Sequence, residues 1–547
     1  MFEILGTNQA QDDEHLLDYF IEEQEEFDRP IIVGRWGTGK TSLLLKRTQN
    51  IRNYLFDESN PFDTPWYIEE EDLNIAKISE IYEENQSSRP RTYAVFSEMW
   101  ESEIWFRAIV MLKEIWRKDK ARLKSPSWNH IGKSKTTEML PEGVWRNARL
   151  VFDLLSKTDR YTRALDAAFQ IYDELRSKNT RKHVFQCISE LNSLKIPRPV
   201  ISIEPIETPF SETENQTDSL ANDLVSSLLN CWYQKFRPER IDCNLVVHVS
   251  VPWHRYFPGR TSFPDKIPNY TSFVGWTKNR LRNLISKRLV WEMNKSGNEF
   301  IMEFEQDFNL VWSKFFPEKI ANAVAFNIYD RREDSFDYLC RHTSWRARDL
   351  IVLTRECIEA HCKKNKIAYH DYFANPECVD PDLVKSVVSG YSQRTAPSRI
   401  EEYVKRNGGG KVSATVFKGL PSPIGKRQIV DTLMKEFNFS GKVKEESLFS
   451  ELWSAEIIGL AFEFSNNDAK RRFTSAFGVE TVRQLVGSEE LDNRPLDSVA
   501  FLFGYSTRDD WNVNSIMARY ENHRIVFHPI FNEYLRIKVR CQYPIGV

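Results

Sequence analysis

The chain has 547 residues, a length that at roughly 150 residues per domain allows three or four domains and several well-buried cores. With 75 Lys and Arg against 78 Asp and Glu, its formal charge is −3, which excludes binding to nucleic acid by bulk charge alone. Hydrophobic residues at 41% and aromatics at 13% argue for a folded chain rather than a disordered one. No apolar run approaches the ~18 residues of a membrane span. The opening residues also lack a basic stretch leading into an apolar one, so neither a span nor a secretory leader is expected. The eight cysteines form no Cys-x-x-Cys pair, which fits reduced thiols and a cytoplasmic location.

Residues 1–30 are acidic and read as a helix with Leu16, Leu17, Phe20 and Ile21 on one face. Pro30-Ile31-Ile32-Val33 then reads as an apolar strand running into glycines, followed by a helix over 42–55. A second strand is expected at Tyr93–Ser97, leading into a helix over about 100–118. Residues 120–195 are charged and helical and read as an insertion or lid. Val200–Ile203 and Leu245–Val251 are the third and fourth expected strands, with a helix at 217–234 between them. Strands alternating with helices predict an α/β fold with a parallel sheet over 1–275. From 276 to about 375 the periodicity is helical throughout, giving a helical lid domain over 276–395. Gly408-Gly409-Gly410, Pro421 and Pro423 mark 396–425 as a linker. The segment 426–547 mixes expected helices (428–437, 447–462, 479–486) with a strand at Ile525–Phe527, an order that suits a winged-helix-like domain.

Gly34-Arg35-Trp36-Gly37-Thr38-Gly39-Lys40-Thr41 fits G-x-x-x-x-G-K-[ST] at every position, with a strand before it and a helix opening at Ser42 after it. Glycines let backbone N–H groups wrap a phosphate without Cβ clashes, and the helix N-terminus adds partial positive charge. Residues Gly34 to Ser42 are therefore expected to bind the phosphates of ATP. Lys40 is expected to reach the β- and γ-phosphates and Thr41 to ligate Mg²⁺.

Such a loop needs an acid at the end of a neighbouring apolar strand. Val200-Ile201-Ser202-Ile203-Glu204-Pro205-Ile206-Glu207 supplies two. Glu204 is expected on the metal side and Glu207 as the group that orients or deprotonates the attacking water. An Asp is usual where Glu204 stands, and the extra methylene is expected to slow hydrolysis. The competing reading is a surface turn with two solvated acids. Glu98 is an outside contender, though an exposed loop acid is its plainer reading.

These segments, together with Asn244–Phe257, Gly275–Leu289 and Ser344-Trp345-Arg346-Ala347-Arg348-Asp349-Leu350-Ile351, resemble a prokaryotic group of P-loop ATPases akin to the AAA+/STAND and origin-recognition-type ATPases. The resemblance covers most of 1–400 and extends loosely to Phe527–Leu535. It implies an ATP-gated switch acting on a partner effector or on a multimer of itself, often in anti-phage or mobile-element systems. It further implies that Arg346 or Arg348 is a sensor arginine touching the γ-phosphate, and that Ser250, more than His248 or His254, stands at the sensor position of the fourth strand. Asp349 could pair with either arginine. Arg280 and Arg288 could reach a neighbouring subunit, with a solvated basic face the competing reading.

Other constellations carry less. Cys357, His361, Cys362, His370 and Cys378 invite a zinc reading, but no Cys-x-x-Cys or paired-histidine spacing supports it and a core helix accounts for them. Lys405, Arg406, Lys411, Lys418, Lys426 and Arg427, with Lys470-Arg471-Arg472, make a basic flank that leaves DNA open as a partner. The alternative function is accordingly a DNA-binding initiator- or transposition-type ATPase. A third reading has the nucleotide as a structural ligand only.

Overall fold

The computed structural model describes residues 29–34, 39–55, 67–68, 73–85, 89–134, 143–148, 151, 177–197, 199–204, 217–238, 245–252, 261–274, 276, 278–298, 300, 307–321, 332–343, 346–408, 414–437, 452–453, 456–463, 499–503 and 523–539. The helix expected over residues 1–30, apart from Arg29 and Pro30, and the one at 479–486 lie outside these residues. The chain divides into two compact units with the boundary after Val274.

The first unit is built on a five-stranded sheet: β1 (Ile31–Gly34), β2 (Tyr67–Ile68), β3 (Val200–Ile203), β4 (Val246–Pro252) and β5 (Thr271–Val274). Its order is β2-β3-β4-β1-β5, and every pairing is parallel. Strands buried on both faces need continuous apolar sequence, and Ile31, Ile32, Val33, Ile201 and Ile203 are all essentially inaccessible. One face of the sheet carries Ile31, Val33, Ile201, Ile203, Val247, Val249 and Val251 into a single large apolar cluster. Helices contributing to that cluster include α2 (Ile75–Glu84), α3 (Arg89–Lys118), α4 (Pro126–Lys133), α5 (Lys178–Ser193) and α6 (Thr217–Cys231), and Ile51 joins it from the helix after the glycine-rich loop. The other face carries Ile32, Ser202, His248, Ser250 and Ser272, side by side in the parallel register. Against it lies α1 (Lys40–Leu55), the helix that follows the glycine-rich loop.

Two expectations for this unit are corrected. Tyr93–Ser97 is not a strand but lies inside the 30-residue α3. Its apolar residues continue at helical spacing, with Val95, Phe96, Met99, Trp100, Ile104 and Ala108 all buried, and nothing breaks the helix before Lys118. The remaining strands are β2, only two residues long, and β5, whose sequence Thr271-Ser272 hides its burial behind hydroxyls. Secondly, the described part of 120–195 is not a separate lid. Leu123, Trp128, Ile131, Val144, Trp145, Val184 and Leu191 belong to the same cluster as the sheet. Buried Glu103 fastens it: its carboxylate accepts from the Val144 N–H at 2.5 Å and from Arg107 Nε at 2.6 Å.

The second unit opens with α7 (Lys278–Lys295) and α8 (Asp307–Phe315) and a two-stranded antiparallel ladder, β6 (Lys319–Ala321) with β7 (Arg332–Asp334). The segment is therefore not helical throughout. Helices α9 (Ser335–Cys340), α10 (Ala347–Asn365), α11 (Tyr369–Ala374) and α12 (Pro381–Gly408) follow. An aromatic group holds them: Trp312 stacks on Phe316 at 4.1 Å and donates its indole N–H to Ser335 Oγ at 2.7 Å. Helix α12 carries Pro397 in its interior and covers the first part of the stretch expected as a linker. Beyond it come α13 (Lys426–Phe437), a parallel pair of β8 (Pro421–Ser422) and β12 (Lys538–Val539), and an antiparallel sheet. That sheet has β9 (Ile458–Glu463) between β10 (Val499–Phe503) and β11 (His523–Phe527). The helix expected over 447–462 is thus a strand from Ile458 onward, where Gly459-Leu460-Ala461-Phe462 pairs on both sides. Among the described residues no helix is long and apolar enough to cross a membrane.

Candidate functional site

Ligands of parallel α/β sheets collect outside the carboxyl ends of the strands. The end of β1 and the end of β3 open onto the same edge, with β4 between them. Gly34 closes β1, and the chain re-enters the described residues at Gly39. Gly39 has φ +89, a conformation that favours a residue without Cβ, and its carbonyl accepts the first helical bond from the Leu43 N–H at 3.0 Å. The helix then starts at Lys40, which is only 4% exposed. Arg35, Trp36, Gly37 and Thr38 lie outside the described residues.

At the end of β3, the Glu204 N–H donates to the Ile68 carbonyl at 2.7 Å, which extends the ladder by one residue and fixes the acid at the sheet edge. Its carboxylate points across β4 toward α1. Thr41 Oγ1 donates to Glu204 Oε1 at 2.6 Å, between residues 163 positions apart. A hydroxyl–carboxylate bond of this length is charge-assisted and contributes roughly 1.5–3 kcal/mol when shielded from water. The two oxygens form a hard donor set of the kind that suits Mg²⁺. Ser250 lies on β4, one register step from the level of Ile203–Val249; it is 2% exposed and its hydroxyl has no hydrogen-bond partner among the described residues. Glu207 and His254 lie outside the described residues. Ser42 is buried in the first turn of α1. Glu98 sits within α3 rather than in a loop.

One contact beneath this edge was not legible beforehand. Arg47 Nη1 lies 2.7 Å from His248 Nδ1. Arginine only donates, so Nδ1 accepts and the imidazole proton is on Nε2. Burial, and then Arg47, hold the His248 pKa well below the ordinary value. A backbone hydrogen bond with Pro30 acts in the opposite direction, favouring the protonated ring. The usable signal was the seven-residue spacing of Arg47 from Lys40, which returns to the same helix face after two turns.

Buried neutral histidines have a pH consequence. His248 in the first unit, and His342 (lowered to about 3) and His528 in the second, are depressed chiefly by burial. Unfolding exposes each to take up a proton once the pH is below about 6.5. Their contribution is present above that value and lost as the pH falls. Each histidine is expected to add a slope approaching ~1.4 kcal/mol per pH unit below it. Chemical denaturation at pH 7.5 and 5.5 checks this; a His528→Gln variant should flatten the slope of the second unit.

The remaining expected residues belong to the second unit. Arg346 precedes α10 and donates to Glu456 Oε2 at 2.8 Å, while Asp349 pairs with Arg399 at 2.9 Å rather than with Arg346 or Arg348. Burial opposes charge on Arg346, but Glu456 and Asp349 outweigh it and raise its pKa. Arg348 lies in the first turn of α10. Arg288 is 2% exposed, so a solvated basic face is not its setting. Cys357 and Cys362 are buried on α10, their thiols pushed up chiefly by burial, Cys362 to about 11. Among the described residues no cluster of three or more His, Cys, Asp or Glu could hold a metal ion. Of the basic flank, Lys418, Lys426 and Arg427 are exposed, and Lys470-Arg471-Arg472 lie outside the described residues. Comparison with family models, with curated proteins and with solved structures found no match to this chain.

Proposed function

We propose that the chain binds ATP with Mg²⁺ at the carboxyl edge of its parallel sheet and hydrolyses it as part of a switch. The observation carrying this reading is the Thr41–Glu204 hydrogen bond. A turn with solvated acids does not account for a carboxylate engaged by the hydroxyl that ends the Gly-Lys-Thr sequence. In this reading Lys40 binds the β- and γ-phosphates, and Thr41 and Glu204 are the residues that would hold the metal. When bound, Mg²⁺ would neutralise charge developing on the transferred phosphoryl group. Thr41 commits its proton to Glu204 and keeps its lone pairs for the metal side. Glu207 as the group acting on water rests on its place in the sequence.

The resemblance to AAA+/STAND ATPases supports the wider reading. The first unit would be a P-loop core, the second a helical lid followed by a winged-helix-like region. The output would be an ATP-gated signal to an effector protein or to further copies of the chain, of the kind used in anti-phage defence.

Equilibrium binding of ATP to the full chain, with Mg²⁺ or with EDTA, tests the core of the proposal. Lys40→Ala is expected to weaken Mg²⁺-dependent binding by about 10–100-fold, the worth of one charge-assisted phosphate contact. A wild-type chain with no Mg²⁺-dependent nucleotide binding sinks it. Turnover stimulated by duplex DNA, with affinity falling steeply as salt rises, would transfer the reading to the initiator-type alternative.

A further inference from the structure

Among the described residues four that are not glycine hold a left-handed φ: Lys195, Lys366, Glu456 and Arg536. Each closes a turn in the same way. The N–H of the residue that follows reaches back five positions, from Ile196 to Leu191, Ile367 to Cys362, Ile457 to Leu452 and Ile537 to Asn532, at 2.8–3.0 Å. At Glu456 its own N–H also donates to the Trp453 carbonyl at 3.0 Å, which completes a Schellman turn. Glycine is the usual residue at this position because a Cβ is crowded there. Lysine and arginine at least suit it electrically, since the carbonyls that end a helical turn present partial negative charge. Lys195, Lys366 and Arg536 are all exposed. Glu456 differs on both counts, being an acid at the negative end of its turn and only 4% exposed. Neither the backbone nor the local field favours a glutamate there, so groups from elsewhere in the fold hold its carboxylate.

Those groups are two arginines from two helices. Arg346, at the N-cap of α10, donates from Nη2 to Glu456 Oε2 at 2.8 Å, and Arg399 of α12 brings Nη1 to 3.7 Å from the same oxygen. Asp349, in the first turn of α10, accepts from Arg399 Nη2 at 2.9 Å. These four groups are neutral together and carry one positive charge without Glu456. Of the four, Glu456 alone comes from the C-terminal sheet region. β9 starts at Ile458, two residues on, and the His528 N–H donates to the Ile457 carbonyl at 2.9 Å, joining the end of β11 to the same turn. A second polar contact of α12 with this region, from Ser389 and Gln393 to Glu533, is made by exposed side chains and is weakened by water. The Glu456 carboxylate is the buried counterpart.

We propose that Arg346 and Arg399 form a binding site for a single carboxylate, that Glu456 occupies it as an internal ligand, and that this occupancy is a latch holding the C-terminal sheet on α10 and α12. The site takes one carboxylate at a time, so a carboxylate from outside enters only when Glu456 is out. Neither the site nor the latch rests on nucleotide binding.

The test uses the full chain as wild type, Glu456→Gly, Glu456→Gln and the double variant Arg346→Met/Glu456→Gly. Glycine suits the left-handed backbone, so Glu456→Gly removes the carboxylate and keeps the turn. Amide hydrogen exchange at 457–463 and 523–531 is compared with that at 350–362 inside α10, in sodium chloride and in sodium propionate at equal ionic strength. Propionate has the carbon and oxygen atoms that Glu456→Gly takes away. In chloride, Glu456→Gly is expected to speed exchange in the two strand segments by about ten-fold or more beyond any rise in α10, as local opening does. Propionate should restore most of that protection, because a planar carboxylate meets the guanidinium groups in a way chloride does not. It should leave the wild type unchanged, whose site is filled, and should do nothing for the double variant, which lacks one arginine. Glu456→Gln is expected to open the same segments by a smaller factor, since its amide oxygen still accepts from Arg346 without the charge. An equal rise in all three segments overturns the latch, and propionate no better than chloride overturns the site. If Glu456→Gly fails to fold in chloride, recovery of the fold in propionate upholds the site and failure in both salts overturns it.

Discussion

Glu456→Ala is expected to destabilise the second unit by about 3–5 kcal/mol, the usual cost of leaving a buried charge without its partner. Glu456 is 4% exposed, accepts from Arg346 at 2.8 Å and stands 3.7 Å from Arg399. Its removal takes from Arg346 the carboxylate it donates to, whereas Arg399 keeps Asp349 at 2.9 Å. The backbone at Glu456 adds a second argument: φ is +58, a left-handed conformation that a residue with a Cβ adopts at a cost of roughly 1–2 kcal/mol. That cost is sustained where the side chain is held from outside, as it is here by two arginines. The double variant Arg346→Met/Glu456→Gln is accordingly expected to be more stable than Glu456→Ala, since both buried charges disappear together. Urea denaturation followed by a probe in the second unit, at constant slope, makes the comparison. A Glu456→Ala loss below about 1 kcal/mol would mean that the pair is solvated and contributes as little as an exposed one.

The same network shows where sequence reading reached its limit. Strands β1, β3 and β4 were legible because a parallel strand covered on both faces must be apolar throughout, and Ile31–Val33, Val200–Ile203 and Val246–Val251 are close to that pattern. β5 was not, because Thr271 and Ser272 are buried as hydroxyls; Thr271 satisfies its own by donating to the Ile267 carbonyl at 3.0 Å. Tyr93–Ser97 misled for the converse reason: a five-residue aromatic and β-branched run fits a strand until the helical spacing of the next twenty residues is given weight. At the site, Gly39, Lys40, Thr41 and Glu204 could be placed from spacing alone, since the chemistry fixes which residue types must follow a strand. Arg47 with His248, and Arg346 with Glu456, are separated by 201 and 110 positions. Local spacing can at most place one member on a helix face; the pair exists only once the fold brings the partners together.

The length of the acid at position 204 yields the sharpest expectation for the site. Thr41→Val removes the hydroxyl but keeps the shape, and Glu204 is half-buried, so water can take over the lost bond and folding should change by less than about 1 kcal/mol. ATP affinity in EDTA should likewise be little altered. The gain in affinity on adding Mg²⁺ should shrink by about 10-fold or more, because the residue lost is the one assigned to the metal. Glu204→Gln should do the same by removing the charge while leaving an acceptor for Thr41. Glu204→Asp then separates two accounts of the longer side chain. The Glu204 backbone is pinned to Ile68, so the carboxylate of Asp falls short of Thr41 by about one bond, ~1.5 Å. If the edge is built for Glu, Glu204→Asp loses the Thr41 bond and its Mg²⁺ response drops toward that of Glu204→Gln. If Glu is the handicap that the motif suggests, Glu204→Asp instead binds Mg²⁺ more tightly and turns over faster. The 2.6 Å contact favours the first outcome, since an acid too long for its site would not meet the hydroxyl of Thr41 at the length of a charge-assisted bond.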